Sequence, residues 1–152
     1  MLKSGLKLAL CSAALAVPVM IGASDARAEV LATATRVSGI GTPGTIPLND
    51  SGGTALAFST TKPNQKIVLT YNAECFTSGS WLAISIFVDG KEANPQSGSD
   101  FAFCSAPGNW HGTVRQSIIT VPKKGAHAAT VVATLVGGGS FSLDDTSFVI
   151  EK

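Results

Sequence analysis

The chain has 152 residues, of which 45% are hydrophobic and 14% are charged, and its formal net charge at pH 7 is +1. A nearly neutral chain lacks the basic patch by which proteins bind phosphate backbones, which argues against a nucleic-acid-binding protein. The length suits a single domain with a sizeable core.

The first 28 residues have the pattern of a secretory signal peptide. Two lysines precede an apolar run over residues 8–21, and an Ala-Arg-Ala cleavage motif ends at Ala28. A proline interrupts the run, which is also short for a bilayer span. We therefore expect cleavage between Ala28 and Glu29. The product would be a secreted or periplasmic bacterial protein with one domain over residues 29–152 and no transmembrane segment.

Removal of this leader changes both the charge and the cysteine content. It takes away three basic residues and one acidic residue, so the formal charge falls from +1 to −1, and it also removes Cys11. Leu10 is too large for the residue before a lipoprotein cysteine, so a soluble product is favoured over a lipidated one. Cys75 and Cys104 remain, and in an oxidising compartment such a pair predicts a disulfide bond.

The residues after the leader alternate in the manner of β-strands and contain no long helical stripe. The clearest strand is Trp81–Asp89, in which every second residue from Leu82 to Val88 is aliphatic. Strands are expected over residues 30–37, 54–58, 66–72, 81–89, 113–121, 129–136, 140–143 and 146–150. The spacing of the turns predicts an all-β, antiparallel β-sandwich of roughly eight to ten short strands. The runs 113–121 and 129–136, separated by a short turn, are expected to pair with each other.

Aromatic residues at predicted strand starts are candidates for ligand binding. Trp81, Trp110 and His111 lie beside glycine, serine and asparagine residues, where an aromatic face could stack on a sugar ring. The alternative is structural: each tryptophan would cover one open end of the sandwich, with its N–H satisfied at the rim.

Two adjacent carboxylates near the C-terminus are candidates for a metal site. Asp144 and Asp145 could bind a structural Ca²⁺ together with loop carbonyls. The alternative is a turn in which the aspartates accept hydrogen bonds from backbone N–H groups. No motif indicates any other cofactor.

Motifs for catalysis are missing from the sequence. It has no G-x-S-x-G elbow, no H-E-x-x-H helix and no P-loop, and its two histidines, His111 and His127, do not have metal-type spacing. A non-enzymatic protein is favoured.

The C-terminal segment resembles a known family. Phe141-Ser142-Leu143-Asp144-Asp145-Thr146-Ser147-Phe148 is similar to the closing strand of galactose-binding-like jelly rolls, the architecture of many carbohydrate-binding modules. Gly125-Ala126-His127-Ala128-Ala129-Thr130-Val131 resembles the glycine-x-histidine entry to their penultimate strand. The resemblance implies a jelly-roll sandwich with a structural calcium near Asp144 or Asp145, and it transfers no ligand specificity.

These observations leave three functional hypotheses. The first is a secreted binding module for a glycan or a protein. The second is a structural or assembly protein of the bacterial envelope, which would use exposed strand edges or an apolar surface that includes Phe58, Phe76 and Phe87. The third is a small secreted hydrolase, for which loss of turnover on changing His111 or Asp145 would be the required evidence. The oligomeric state is left open.

Overall fold

The computed structural model describes residues 27–79, 81–97 and 102–152, and the described residues form nine β-strands and no helix. The predicted signal peptide lies almost entirely outside the described residues, so the division into leader and domain stays a prediction. None of the described segments is a helix that could cross a membrane. The strands are β1 (Val30–Arg36), β2 (Gly44–Thr45), β3 (Leu56–Thr60), β4 (Gln65–Thr77), β5 (Trp81–Val88), β6 (Lys91–Glu92), β7 (His111–Val121), β8 (Gly125–Val136) and β9 (Phe141–Glu151).

The strands form two antiparallel sheets. The first sheet has the order β1-β9-β4-β7, and the second has the order β2-β8-β5-β6, with β3 also paired to β8. The first long strand lies beside the last, and the chain crosses between the sheets after β1, β3, β4, β6, β7 and β8, which is the strand order of a jelly roll. The expected antiparallel, jelly-roll-like sandwich is therefore confirmed.

Side-chain alternation places the core between the two sheets. Leu82, Ile84, Ile86 and Val88 of β5 are all buried, as their spacing predicts. In β4 the odd-numbered residues from Ile67 to Thr77 are buried and the even-numbered residues face outward. The same parity holds for β7, so β4 and β7 present one shared outer face.

The predicted pairing of residues 113–121 with 129–136 is wrong. β7 pairs with β4 along its whole length, from Cys75–His111 to Gln65–Val121, whereas β8 pairs with β5 in the other sheet. The short segment after Val121 thus connects the two sheets instead of closing a hairpin. The alternation within each run is compatible with a hairpin and with the observed pairing. The observed pairing depends on β4 and β5, the long strands with which β7 and β8 form their ladders.

Two strands predicted near the C-terminus form one continuous strand with a bulge. Asp145 adopts a left-handed backbone, with φ of 43°, and the ladder with β4 shifts register between Asn72 and Glu74. An extra residue in one strand reverses the parity of the side chains beyond it. Leu143 before the bulge and Phe148 after it therefore both point into the core.

Candidate functional site

The candidate site lies on the outer face of the first sheet, where β9, β4 and β7 lie side by side. Glu74 of β4 pairs with Gly112 on one side and with Asp144 on the other. In the next outward row, Asn72 pairs with Val114 and with Ser147. Side chains from three segments that are far apart in sequence thus lie in adjacent rows of one surface.

An aromatic pair forms one side of this surface. Trp110 directly precedes β7 and is 51% exposed, and its ring centroid lies 5.8 Å from that of Phe76, an outward residue of β4. The two ring planes are inclined by 37°. Contact with Phe76 supports one side of the indole and leaves half of the residue's surface open to solvent.

Beside the aromatic pair lies a groove that we call the Gly112 groove. Its volume is about 480 Å³, and Gly112 contributes no side chain to it. A Cβ atom built on Gly112 would meet no other atom within 4 Å, so the glycine leaves open space in an otherwise continuous row. The groove is lined by Asn72, Ala73, Glu74, Gly112, Thr113, Val114 and Asp145.

The lining combines hydrogen-bond acceptors with an amide. Asn72 donates from Nδ2 to the Ser147 hydroxyl at 3.2 Å, which holds its amide in place. Glu74 and Asp145 add carboxylates, which accept hydrogen bonds when ionised. The groove can therefore offer acceptors to a hydroxyl-rich ligand, while the neighbouring aromatic pair offers a flat apolar face.

The structure separates the three aromatic residues predicted from the sequence. Trp110 lies two residues before Gly112, next to the groove but outside its lining. Trp81 begins β5 in the second sheet, pairs with Val136 and is half-buried. His111 has the inward parity of β7, and its Nε2 lies 3.4 Å from Cys75 Sγ. Of the three, only Trp110 is presented beside the groove.

The predicted calcium residues lie at the bulge of β9. Asp145 lines the Gly112 groove and donates its backbone N–H to Asp144 Oδ1 at 3.1 Å, in the manner of the alternative turn interpretation. Among the described residues, these two belong to no cluster of three close carboxylate, imidazole or thiol ligands. Calcium at Asp144 or Asp145 stays a prediction.

The predicted disulfide is present and fastens the segment that carries Trp110. Cys75 and Cys104 are bonded, their Cα atoms are 6.1 Å apart, and both residues are fully buried. Beyond Cys104, the Gly108 N–H donates to the Thr77 carbonyl at 2.8 Å. The approach to Trp110 is therefore tied to β4 at two points, which limits the movement of the indole.

A second cavity, of about 270 Å³, lies at the opposite end of the sandwich. At its edge, His127 Nδ1 lies 2.7 Å from Asp89 Oδ2, and its Nε2 lies 3.1 Å from the Thr60 hydroxyl. Thr60, His127 and Asp89 are thus arranged like the nucleophile, base and acid of a catalytic triad. Thr60 is buried, however, and its hydroxyl donates to the Lys123 carbonyl. The geometry is that of a structural network that joins turns.

Sequence reasoning missed Asn72, Glu74 and Gly112. A signal for the first two was available, because the alternation that begins at Lys66 continues without a break to Thr77, which gives Asn72, Glu74 and Phe76 one common face. No local signal could place Gly112 opposite Glu74, since this pairing joins two distant strands.

The chain matches no protein-family model and no curated protein. It is similar in structure to the C-terminal domain of EclA, a sugar-binding protein, with 11% identity and a TM-score of 0.41 over 74% of this chain and 78% of that one. A CBM35 from Paenibacillus barcinonensis has 13% identity and a TM-score of 0.34 over 81% and 97%. The VP2 protein in the subviral particle of infectious bursal disease virus has 19% identity and a TM-score of 0.45. That match covers 93% of this chain but only 37% of the VP2 chain. At these values none of the similarities assigns a ligand or an activity to this chain.

Proposed function

We propose that this protein is a non-enzymatic glycan-binding module and that the glycan lies in the Gly112 groove against Trp110. The observation that carries the proposal is the position of a half-exposed tryptophan beside an open groove with a polar lining. Binding sites commonly combine an apolar surface with a few well-placed polar groups that fix the orientation of the ligand.

The chemistry of the groove suits a sugar ring. The apolar C–H face of a pyranose would stack on the indole, which removes apolar surface of both partners from water. Its hydroxyl groups would donate to the carboxylates of Glu74 and Asp145 and to the amide oxygen of Asn72. The disulfide and the Phe76 contact hold Trp110 before binding, so little conformational entropy is lost when the sugar binds.

We also propose that the protein acts outside the cytoplasm of a bacterium. The leader pattern over residues 1–28 supports this proposal, and so does the buried Cys75–Cys104 disulfide, because such bonds persist in oxidising compartments. In the described structure, the pairing with the C-terminus begins at Glu29, whose backbone exchanges two hydrogen bonds with Lys152.

The test is a glycan array followed by calorimetric titration of any sugar that binds. Trp110→Ala should lower affinity at least tenfold, because it removes the stacking surface. Gly112→Ile should do the same by filling the groove. The matched controls are Trp81→Ala, on the other sheet, and Gln116→Ile, on the same face of β7 but outside the groove lining. A blank array, or equal losses in variants and controls, contradicts the proposal.

A second candidate is self-assembly through the same face. Val114 is 58% exposed and Ile118 is 41% exposed on the outer face of β7, where they flank Gln116, and Trp110 lies just before the strand. Exposed apolar side chains suit contact with another copy of the chain. Sedimentation over a wide concentration range distinguishes the two functions, because a monomer at all concentrations excludes self-assembly. Concentration-dependent association that Ile118→Thr abolishes would support it.

A further inference from the structure

Three metal-ligating side chains meet on the inner side of the first sheet, beneath the proposed glycan site. They come from separate segments: Cys75 from β4, His111 from the start of β7, and Cys104 from the segment between β6 and β7. The two sulfur atoms and an imidazole nitrogen all lie within 4.8 Å of one another. Among the described residues this is the one group of three or more close cysteine, histidine and carboxylate ligands.

We propose that this cluster is a zinc site whenever the Cys75–Cys104 disulfide is reduced. Two equivalents of a thiol reductant convert the disulfide into two cysteine thiols and are themselves oxidised to a disulfide. Zn²⁺ then displaces one proton from each cysteine thiol and binds both thiolates together with a nitrogen of His111. The fourth position of the tetrahedral ion is taken by water.

The geometry of the imidazole already fits this role. With Zn–S bonds of about 2.3 Å and Zn–N bonds of about 2.0–2.1 Å, a tetrahedral site places a sulfur and a nitrogen ligand roughly 3.5–3.6 Å apart and two sulfur ligands roughly 3.8 Å apart. His111 Nε2 lies 3.4 Å from Cys75 Sγ, because His111 and Cys75 face each other in the β4–β7 ladder. Once the S–S bond is broken, rotation of the cysteine side chains can move the two sulfur atoms apart to the distance that two ligands of one zinc ion require.

The protonation and burial of the ligands also suit a zinc ion. The neutral tautomer with its proton on Nδ1 leaves the lone pair of Nε2, the nitrogen nearer Cys75 Sγ, for the metal. Both cysteines are fully buried, and two buried thiolates without a cation would be costly. A Zn²⁺ ion neutralises both charges, and thiolate and imidazole are ligands it accepts readily.

Disulfide and zinc site use the same two sulfur atoms, so the two states exclude each other. The inference is independent of the proposed glycan function, because it rests on inward residues and not on the groove. It assigns His111, which the sequence suggested as a glycan ligand, to the interior side of the sheet.

The test uses the full chain with Cys11→Ser, so that Cys75 and Cys104 are its only thiols. Zinc affinity is measured by competition with a chromophoric chelator before and after reduction with a phosphine under anaerobic conditions. Co²⁺ serves as a spectroscopic probe, since thiolate ligands give it an intense charge-transfer absorption. We expect one Zn²⁺ per reduced chain, none per oxidised chain, and a thiolate-to-Co²⁺ band.

Variants test the ligand set. His111→Gln should weaken zinc binding to the reduced chain by roughly tenfold or more, as the loss of a coordinating or supporting group does in other zinc sites. His127→Gln, which alters the other histidine at the far end of the sandwich, should leave it unchanged. Cys104→Ser should abolish the stoichiometric site.

Circular dichroism of the reduced chain, recorded in parallel, covers the case in which reduction unfolds the protein. Recovery of the β-sheet spectrum on addition of one equivalent of Zn²⁺ would support the proposal. No zinc binding by the reduced chain, whether folded or unfolded, would overturn it. Equal zinc affinities of the reduced chain with His111 and the reduced chain with His111→Gln would overturn the proposal as well.

Discussion

Asp89 and His127 join the turn after β5 to the beginning of β8, with Asp89 Oδ2 2.7 Å from His127 Nδ1. The other carboxylate oxygen, Oδ1, accepts the Ala128 N–H at 3.0 Å, so both oxygens of the carboxylate are engaged. The histidine side chain is 6% exposed and that of Asp89 is 51% exposed. The contact therefore lies at the boundary between the core and water, where a change in protonation affects the stability of the sandwich.

We predict that this contact makes stability depend on pH in the acid range. Partial burial raises the pKa of Asp89, but the hydrogen bonds from His127 and from the Ala128 N–H lower it by more than burial raises it. The pKa of Asp89 therefore lies below the usual 3.8. The stabilisation is complete above the unfolded pKa and is lost as the pH falls through the folded value. Asp89→Asn should cost about 1 kcal/mol of unfolding free energy at pH 7, since the carboxylate is half-exposed.

Urea unfolding between pH 7 and pH 2 measures this effect. The difference between the native protein and Asp89→Asn should shrink toward the acid end of the series. A difference that stays constant over that range would show that the ionised carboxylate is not responsible. Glu151→Gln is the matched control, because among the described residues no comparable side-chain contact of Glu151 is found.

The Gly138–Gly139 pair provides a backbone prediction. Gly139 has φ of 101°, and a Cβ atom on it would lie 2.0 Å from the Ser78 carbonyl oxygen. Gly139→Ala should therefore destabilise the protein by about 2 kcal/mol or more, through strain and displacement of the turn. At Gly138 a Cβ would meet no atom within 4 Å, so Gly138→Ala should change stability by less than about 0.5 kcal/mol. Equal thermal melting temperatures for the two variants would contradict this reasoning.

The disulfide should contribute a large part of the stability. Cys75 and Cys104 are 29 residues apart, and for a loop of this length the chain-entropy model gives about 3.5 kcal/mol. Replacing both cysteines by serine should lower the melting temperature by several degrees at least. Native protein from an oxidising compartment should show no thiol that reacts with a colorimetric reagent before denaturation and reduction. Two reactive thiols in that preparation would contradict the disulfide.

Substitutions of two phenylalanines should distinguish effects on stability from effects on glycan binding. Phe148 is 1% exposed in the core, so Phe148→Ala should cost about 3–5 kcal/mol. Phe76 is only partly buried on the outer face, so Phe76→Ala should cost much less stability but should weaken glycan binding, because it supports Trp110. Chemical denaturation and glycan titration of both variants provide the comparison. Normal glycan affinity in Phe76→Ala would remove the aromatic pair from the proposed site.

Much of the fold could be predicted because strand patterns are local. The alternation of Leu82, Ile84, Ile86 and Val88 is visible in the sequence, and all four residues are buried. The disulfide was predictable from the leader and the cysteine count, since only two cysteines follow residue 28. The leader itself, the compartment and the glycan ligand stay predictions.

Strand pairing was less predictable because it depends on contacts between distant residues. The turn after Val121 reads as a hairpin, yet it connects two sheets, since β4 pairs with β7 and β5 pairs with β8. The bulge at Asp145 shows the same limit: one residue of left-handed backbone joins what the sequence presents as two strands.

The sequence by itself determined which residues point inward in the regular strands such as β4 and β5, because side-chain alternation has a period of two and needs no partner. Only the tertiary structure decided which side chains lie together. It placed Trp110 beside Phe76 and the Gly112 groove, Trp81 on the opposite sheet, and His111 against Cys75. The reason is that a site on a sheet is made by neighbouring strands, and register and strand order are set by the burial of the whole core.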